Sequence, residues 1–314
     1  NKAIELLANT KKTRSDKRYV SLDVAYGIRA RVHLTMHNYA DALKDAEAAL
    51  ASTSSVPYSS AAVSKPTFID IEDASWMWGI LITDKDRVST TGICNFPSHM
   101  GSLNYGYASV GGWRRISPKL YNQIPESDVR KGWFLDDTGV SVNLPAAAQA
   151  YITKKGAPVY TQVKYGPMND EWGSNNNATD VILMRVEEMY LIKAEAQAMN
   201  NDVSGGVNTL NSFVNTYRDP SYKCTATTGE AVQEAVWHQR RIEFWGEGLA
   251  YFDIMRLNKG VNRLGCGFPK TAVFNIAAGD PVQIYSIPNK EVQYNPLLEN
   301  NPLVSAPTPI PDEE

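Results

Sequence analysis

Aromatic and amide side chains cluster in one stretch of the chain, where glycine interrupts them repeatedly. Its members are His99, Asn104, Tyr105, Tyr107 and Trp113. Glycine lets the backbone turn sharply and approach a ligand closely. Aromatic faces suit the apolar C–H faces of sugar rings, and amides bind hydroxyl groups. This run therefore favours non-covalent binding of a sugar, and Trp172 is a further candidate ligand-binding residue.

The same aromatic residues also fit a packing role. Five of the seven tryptophans lie between residues 56 and 179, and an ordered segment of that length needs a core of its own. A tryptophan is highly buried on average, so many of these rings are expected inside. Trp76 and Trp78 occur in DIEDASWMWGIL, which we interpret as a short helix with at most one of the two rings facing outward.

No pattern of catalytic residues accompanies the aromatic run. Glycoside hydrolysis needs two carboxyl groups about 5–9.5 Å apart. Carboxylates such as Glu126 and Asp137 are present, but their spacing marks no pair. The four histidines form neither a metalloprotease motif nor a triad, and the sequence has no nucleotide-binding loop. We predict a binding protein that is not an enzyme and uses no metal or cofactor.

Composition excludes other classes of function. The 314 residues carry a formal charge of -3, which gives no basic surface for nucleic acid. No apolar run reaches the roughly 20 residues that span a bilayer. Cys94, Cys224 and Cys266 lack metal-ligand spacing. A Cys224–Cys266 disulfide and three separate thiols both remain open.

Helical hairpins dominate the rest of the chain. Apolar residues recur at helical spacing in three paired segments, near 19–51, 183–217 and 230–258. The first has the length of a tetratricopeptide unit, about 34 residues. Its leading helix is apolar on two faces, one of which contains Ile28 and Val32, as in a helix packed between neighbours. The predicted fold is mainly α, with tetratricopeptide-like hairpins and a large irregular insertion that carries short strands.

Charged residues near the end of the third hairpin point to buried ion pairs. The predicted members are Arg241, Glu243, Glu247, Asp253 and Arg256. In the second helix of this hairpin, charged and apolar residues share one face. An isolated surface helix would keep its charged residues on the outer face. We predict that these five side chains support the fold and do not contact ligand. Asp128 and Arg130 are interpreted as another structural pair.

Three segments together resemble the SusD/RagB family. They read DVILMRVEEMYLIKAEAQAMNND at 180–202, EAVWHQRRIEFWGEGLAYFDIMRLNKG at 234–260 and IPNKEVQYNPLLENNP at 287–302, in the family's order. The resemblance implies one SusD-like domain over 1–314. Its parts would be the helical pair 19–51, a ligand-binding insertion 56–179, two further pairs within 180–260 and an irregular segment 261–303.

The resemblance also implies a function and a location. Members of this family are lipoproteins on the outward face of the bacterial outer membrane. They capture an oligosaccharide or polysaccharide and deliver it to a SusC-like TonB-dependent transporter. The chain resembles the C-terminal two-thirds of a typical member, with the lipid anchor expected upstream of residue 1. The alternative is a tetratricopeptide-type scaffold that binds a protein or peptide and has no affinity for glycans.

Overall fold

Helices dominate the computed structural model of the protein, which describes residues 1–10, 13–87, 89, 95–302, 304–305 and 307–309. The chain divides into two compact units. The first contains Asn1–Ile116 and Leu120–Gly248, and the second contains Ser117–Lys119 and Leu249–Glu314. In the part of the chain that is described, no helix is both long and apolar enough to cross a membrane. The predicted fold class, mainly α with an irregular insertion that carries short strands, is confirmed.

The first unit contains most of the regular structure. Its helices are α1 (Lys2–Asn9), α2 (Leu22–Thr35), α3 (Tyr39–Ser52), α4 (Ser60–Val63), α5 (Phe96–Met100), α7 (Ala146–Lys154), α8 (Val186–Met199), α9 (Val203–Tyr217) and α10 (Gly229–Glu243). Its strands are β1 (Trp76–Ile80) and β2 (Val181–Arg185). The short helix α6 (Pro118–Tyr121) lies at the division between the units. The second unit contains α11 (Ala250–Arg256), β3 (Val261–Asn262), β4 (Asn275–Ile276) and α12 (Asn289–Tyr294).

Small residues bring the first helices close together. α2 and α3 form a hairpin whose turn includes His37, at a φ of 60°. Ala42, Ala46 and Ala49 of α3 are completely buried, so the neighbouring helices approach closely. α8 packs against both α3 and α9. Helices α2, α3, α8 and α9 therefore form a stacked array. Each helical pair buries apolar faces of its neighbour, which a single pair could not bury alone.

One face of α2 departs from the expected burial. Ile28, Val32 and Met36 follow one another at i, i+4 and i+8, and are 36%, 49% and 63% exposed. The sequence predicts a helix with both apolar faces covered. Val24, Ala25, Ala30 and Leu34 are buried in this helix, so within the described residues the exposed stripe begins at Ile28.

The segment around Trp76 is a strand, and the predicted short helix is wrong. β1 pairs with β2 in an antiparallel arrangement, with Trp76 opposite Arg185 and Ile80 opposite Val181. Trp76 is fully buried while Trp78 is partly exposed. The buried indole of Trp76 donates a hydrogen bond to the hydroxyl of Tyr58 over 2.7 Å. Pairing with β2 satisfies backbone groups that a helix would have bonded locally.

The insertion builds a core of aromatic residues. Phe68 contacts Tyr58, Trp133 and Tyr165 edge to face, with ring centroids 4.9–6.2 Å apart. Trp133 is buried, and its indole N–H donates to the carbonyl of Val63 over 2.9 Å. For these aromatic rings, packing in the core is therefore the correct one of the two predicted roles. Cys224 and Cys266 are free thiols, and Cys94 lies outside the described residues.

Beside this core lies a group of eight buried charged side chains, which we call the buried charge cluster. Its four cations and four carboxylates are Arg130, Lys164, Arg185, Arg218, Asp128, Glu187, Glu243 and Glu247. They come from the insertion, from the junction of β2 with α8, and from the ends of α9 and α10. The cluster thus joins the insertion to the helical array.

Glu243 is the centre of the cluster. Its carboxylate accepts from Arg218 at 2.8 Å, from Arg185 at 3.0 Å and from Arg130 at 3.2 Å. Burial alone would raise the pKa of this carboxyl. Arg218, Arg185 and Arg130 outweigh that effect and hold the pKa well below its usual range.

Two cations of the cluster bind Glu247. Lys164 donates to it over 2.6 Å, and Arg185 makes two bonds of 2.9 and 3.0 Å. Burial disfavours the charged form of Lys164 and lowers its pKa to about 8, although Glu247 opposes the shift. Lys164 also donates to the carbonyls of Glu243 and Trp245.

The predicted ion-pair residues fall in several places. Glu243 and Glu247 belong to the buried charge cluster, and their partners Lys164, Arg185 and Arg218 lie outside the predicted set. In the second unit, Arg256 donates to Asp253 over 2.9 Å, and both are buried. The guanidinium of Arg241 lies 4.8 Å from the centroid of the Trp237 ring.

We predict that Glu243→Gln lowers the free energy of unfolding by about 3–5 kcal/mol, because it leaves buried guanidinium groups without their common carboxylate. Urea denaturation measures this change. The control is Glu5→Gln, which removes the exposed Lys2–Glu5 pair and should change stability by less than about 1 kcal/mol. A Glu243→Gln protein as stable as the parent would contradict the structural role of the cluster.

We further predict that stability falls in acid through Glu243 and Glu247, whose pKa values are both lowered in the folded state. In the unfolded chain a glutamate has a pKa of about 4.3. Below that pH the two carboxylates are protonated in the unfolded chain but remain ionised in the folded protein. Their stabilisation is therefore complete above that pH and is lost as the pH falls further. Denaturation midpoints between pH 3 and 7 should show a steeper acid slope for the parent than for Glu243→Gln; equal slopes would contradict the assignment.

Candidate functional site

Three of the predicted ligand-binding residues form one surface, which we call the aromatic surface: His99, Tyr105 and Tyr107. The two tyrosines are 48% and 43% exposed. The imidazole of His99 stacks on the ring of Tyr107, with centroids 4.7 Å apart and planes 24° apart. Tyr105 and Tyr107 thus present large rings to solvent, and His99 covers one face of the Tyr107 ring.

Backbone hydrogen bonds hold this surface in place. The N–H of Tyr105 donates to the carbonyl of Ser174 over 2.7 Å, and that of Tyr107 donates to the hydroxyl of Ser98 over 3.0 Å. Helix α5 positions His99, and the side chain of Asn95 caps this helix by accepting from the N–H of Ser98. The rings are therefore presented from a fixed loop.

The glycines of this loop serve close packing. A Cβ on Gly112 would lie 2.6 Å from Cε1 of Tyr107, and one on Gly106 would lie 2.9 Å from the hydroxyl of Ser98. Gly111 adopts a φ of 119°, which side chains rarely tolerate. These glycines let the chain fold tightly behind the rings.

Two cations flank the aromatic surface. The guanidinium carbon of Arg114 lies 5.7 Å from the centroid of Tyr107, and Nζ of Lys155 lies 5.4 Å from that of Tyr105. Both groups are hydrogen-bond donors without acceptor capacity. Neither residue belongs to the predicted ligand-binding set. Lys155 follows the last turn of α7, and its position beside Tyr105 is set only by folding.

Trp113 and Trp172 are partly buried instead of fully displayed. Both pack against the apolar cluster that includes Leu103, Ile152 and Val163. Each therefore combines a structural role with partial exposure to solvent.

Asn104 does not face solvent, although the sequence places it among the ligand-binding candidates. It is 2% exposed, and its amide donates to the side chain of Asn177. The hydroxyl of Tyr151 donates to its carbonyl over 3.2 Å. Folding of the loop onto residues 174–177 turns this side chain inward, so that it supports the aromatic surface from below.

Comparison with known proteins identifies the class of protein. The model of the SusD family matches residues 130–303, and the chain belongs to this family. The resemblance drawn from the three sequence segments is thereby confirmed. No curated protein matches the chain.

Solved structures with the same fold include proteins from two Bacteroides species. A SusD superfamily protein from Bacteroides thetaiotaomicron is 22% identical, with a TM-score of 0.74 over 95% of this chain and 64% of its own. A SusD-like carbohydrate binding protein from Bacteroides vulgatus is 23% identical, with a TM-score of 0.64 over 92% of this chain and 53% of its own. The chain thus spans less than two-thirds of the length of each of these two proteins.

We predict that Gly112→Ala lowers the free energy of unfolding by about 1–3 kcal/mol, because the added methyl group overlaps Tyr107. Gly166→Ala is the matched control, since its Cβ would meet its nearest neighbour at an ordinary 3.4 Å. Urea denaturation of both variants tests the packing. Equal stability of the two would mean that Tyr107 moves freely.

Proposed function

We propose that the aromatic surface binds an oligosaccharide or polysaccharide non-covalently, and that the protein does no chemistry on it. The observation that carries this proposal is the pair of exposed rings, Tyr105 and Tyr107, held by backbone bonds on a loop of a SusD family member. A protein of similar fold, a SusD-like carbohydrate binding protein from Bacteroides vulgatus, supports the same function.

The geometry suits a sugar for physical reasons. Ring faces pack against the C–H faces of pyranose rings, while Arg114 and Lys155 offer donors to hydroxyl or carboxylate oxygens. Surface sites of this kind bind weakly; micromolar to millimolar dissociation constants correspond to about -8 to -4 kcal/mol. Repeated binding along a polymer raises the effective strength of capture.

The wider role extends the same proposal. We infer that the protein lies on the outward face of the outer membrane through a lipid anchor and passes the glycan to a SusC-like TonB-dependent transporter. Family membership supports this role. Co-purification with such a transporter from the native membrane tests it, and recovery without any transporter would count against it.

A second candidate function is binding of a protein or peptide. The exposed stripe formed by Ile28 and Val32 of α2 and by Met36, which follows the helix, favours it, because an apolar stripe along a helix is a common partner surface. The two functions occupy different surfaces. Val32→Asp should abolish a protein contact and leave glycan affinity unchanged.

Tyr105→Ala should lower glycan affinity about tenfold, the equivalent of 1.4 kcal/mol, because one stacked ring supplies much of a small total. Calorimetry and affinity electrophoresis against plant, host and microbial polysaccharides give the measurement. Tyr105 is preferable to Trp113 for this test, since Trp113 also packs on the core.

The matched control is Tyr294→Ala, which removes another exposed tyrosine, on α12. It should leave both affinity and stability unchanged. If Tyr105→Ala binds glycans with the same affinity as the parent, the glycan site lies elsewhere on the protein. Release of new reducing ends from a bound glycan would refute the claim that the protein is not an enzyme.

A further inference from the structure

The aromatic surface is built from two stretches of chain that lack carboxylates. Residues 87–125 and 138–169 contain no Asp or Glu, although the whole chain carries 34 acidic side chains and a net charge of -3. These stretches supply the rings of the surface and both cations that flank them: His99, Tyr105, Tyr107, Arg114 and Lys155. The surface is therefore locally basic on a protein whose overall charge is negative.

Arg114 is held against a ring of this surface with most of its donors unused. One N–H of its Nη1 donates to the carbonyl of Gly112 over 2.8 Å, and its guanidinium carbon lies 5.7 Å from the centroid of Tyr107. A guanidinium has five N–H donors, and this one forms no salt bridge among the described residues. Its other donors are therefore available to an anion.

Lys155 contacts two rings at once. Its Nζ lies 5.4 Å from the centroid of Tyr105 and 5.7 Å from that of Tyr151. The hydroxyl of Tyr151 donates to the carbonyl of Asn104 over 3.2 Å, which holds that ring in place. Two ring contacts restrict a side chain that is otherwise flexible, so less conformational entropy is lost when its ammonium group binds an anion.

The carboxylates nearest in sequence to this loop's contacts do not neutralise the two cations. Asp170 and Glu171 are exposed and precede Ser174, whose carbonyl accepts from the N–H of Tyr105. Neither of them forms a salt bridge with Arg114 or Lys155. An exposed lysine without a partner is common. Here, however, two cations contact the two exposed tyrosines of one loop, and no carboxylate in the described part of the chain pairs with either.

We propose that the aromatic surface is selective for an acidic oligosaccharide, whose carboxylate or sulfate groups accept hydrogen bonds from Arg114 and Lys155. This selectivity rests on the proposed function and adds the charge of the ligand to it. Because His99 covers one face of Tyr107 and the cations lie over the rings, less ring surface remains for stacking. Charge-assisted hydrogen bonds, which are stronger than neutral ones, then supply the preference for an acidic glycan over a neutral one.

Calorimetry with the whole chain at pH 6.5 tests this inference with two matched pairs of probes. The first pair is a galacturonic acid hexamer and its fully methyl-esterified form, and the second is a carrageenan hexasaccharide and its desulfated form. We expect the charged member of at least one pair to bind at least tenfold more tightly than its neutral counterpart. The pair that shows this preference identifies the anion as carboxylate or sulfate, and equal affinities within both pairs would overturn the proposal.

Substitutions place the anion beside the rings. Lys155→Gln and Arg114→Gln should each weaken binding of the preferred charged probe about fivefold, the upper end of what a solvent-exposed ion pair contributes. The matched controls are Lys154→Gln and Arg115→Gln, which remove the same charge one residue away and should change the affinity less than twofold. Arg115 donates to the carbonyl of Val159, and Lys154 is exposed on α7.

Equal losses in the variants and their controls would indicate a general attraction between charges and would refute a specific site. Unchanged affinity in both Lys155→Gln and Arg114→Gln would refute it as well. Thermal melting shows whether each variant is folded. If Arg114→Gln is not, the comparison of Lys155→Gln with Lys154→Gln decides, since both side chains are exposed.

Tyr105→Ala separates failure of this inference from failure of the proposed function. If charged and neutral probes bind equally and Tyr105→Ala weakens both, the surface binds glycans without regard to charge. The selectivity is then wrong and the proposed function stands. If Tyr105→Ala leaves every affinity unchanged, the glycan site lies elsewhere and both are wrong.

Discussion

The buried charge cluster around Glu243 is the constraint on which the first unit depends. Removing eight charges from water is unfavourable unless each finds opposite charge and saturated hydrogen bonds. Glu243 meets this requirement through Arg130, Arg185 and Arg218 together. Since these side chains come from the insertion, the β2–α8 junction and the end of α9, their elements must reach their final positions jointly.

This arrangement explains how a long irregular insertion is held in one conformation. Among its described residues the insertion has only isolated bridges of its own, and its strand β1 pairs with β2, which lies outside it. Its order comes instead from Asp128, Arg130 and Lys164, which attach it to the ends of helices, and from the aromatic core around Phe68. A rigid base of this kind lets surface loops present side chains at fixed positions.

The sequence by itself determined the helical array, because helical periodicity is local: the stripe that begins at Tyr39 and the two-sided pattern before Met199 each predict a helix without knowledge of its neighbours. Three ordered segments were enough to indicate the family. Tertiary structure alone decided that Trp76–Ile80 is a strand, since its partner β2 lies far along the chain. It also decided that Asn104 turns inward and that Arg185 pairs with Glu243. Long-range pairing of backbone groups and charges depends on which elements meet, and that information is not contained in any local spacing of residues.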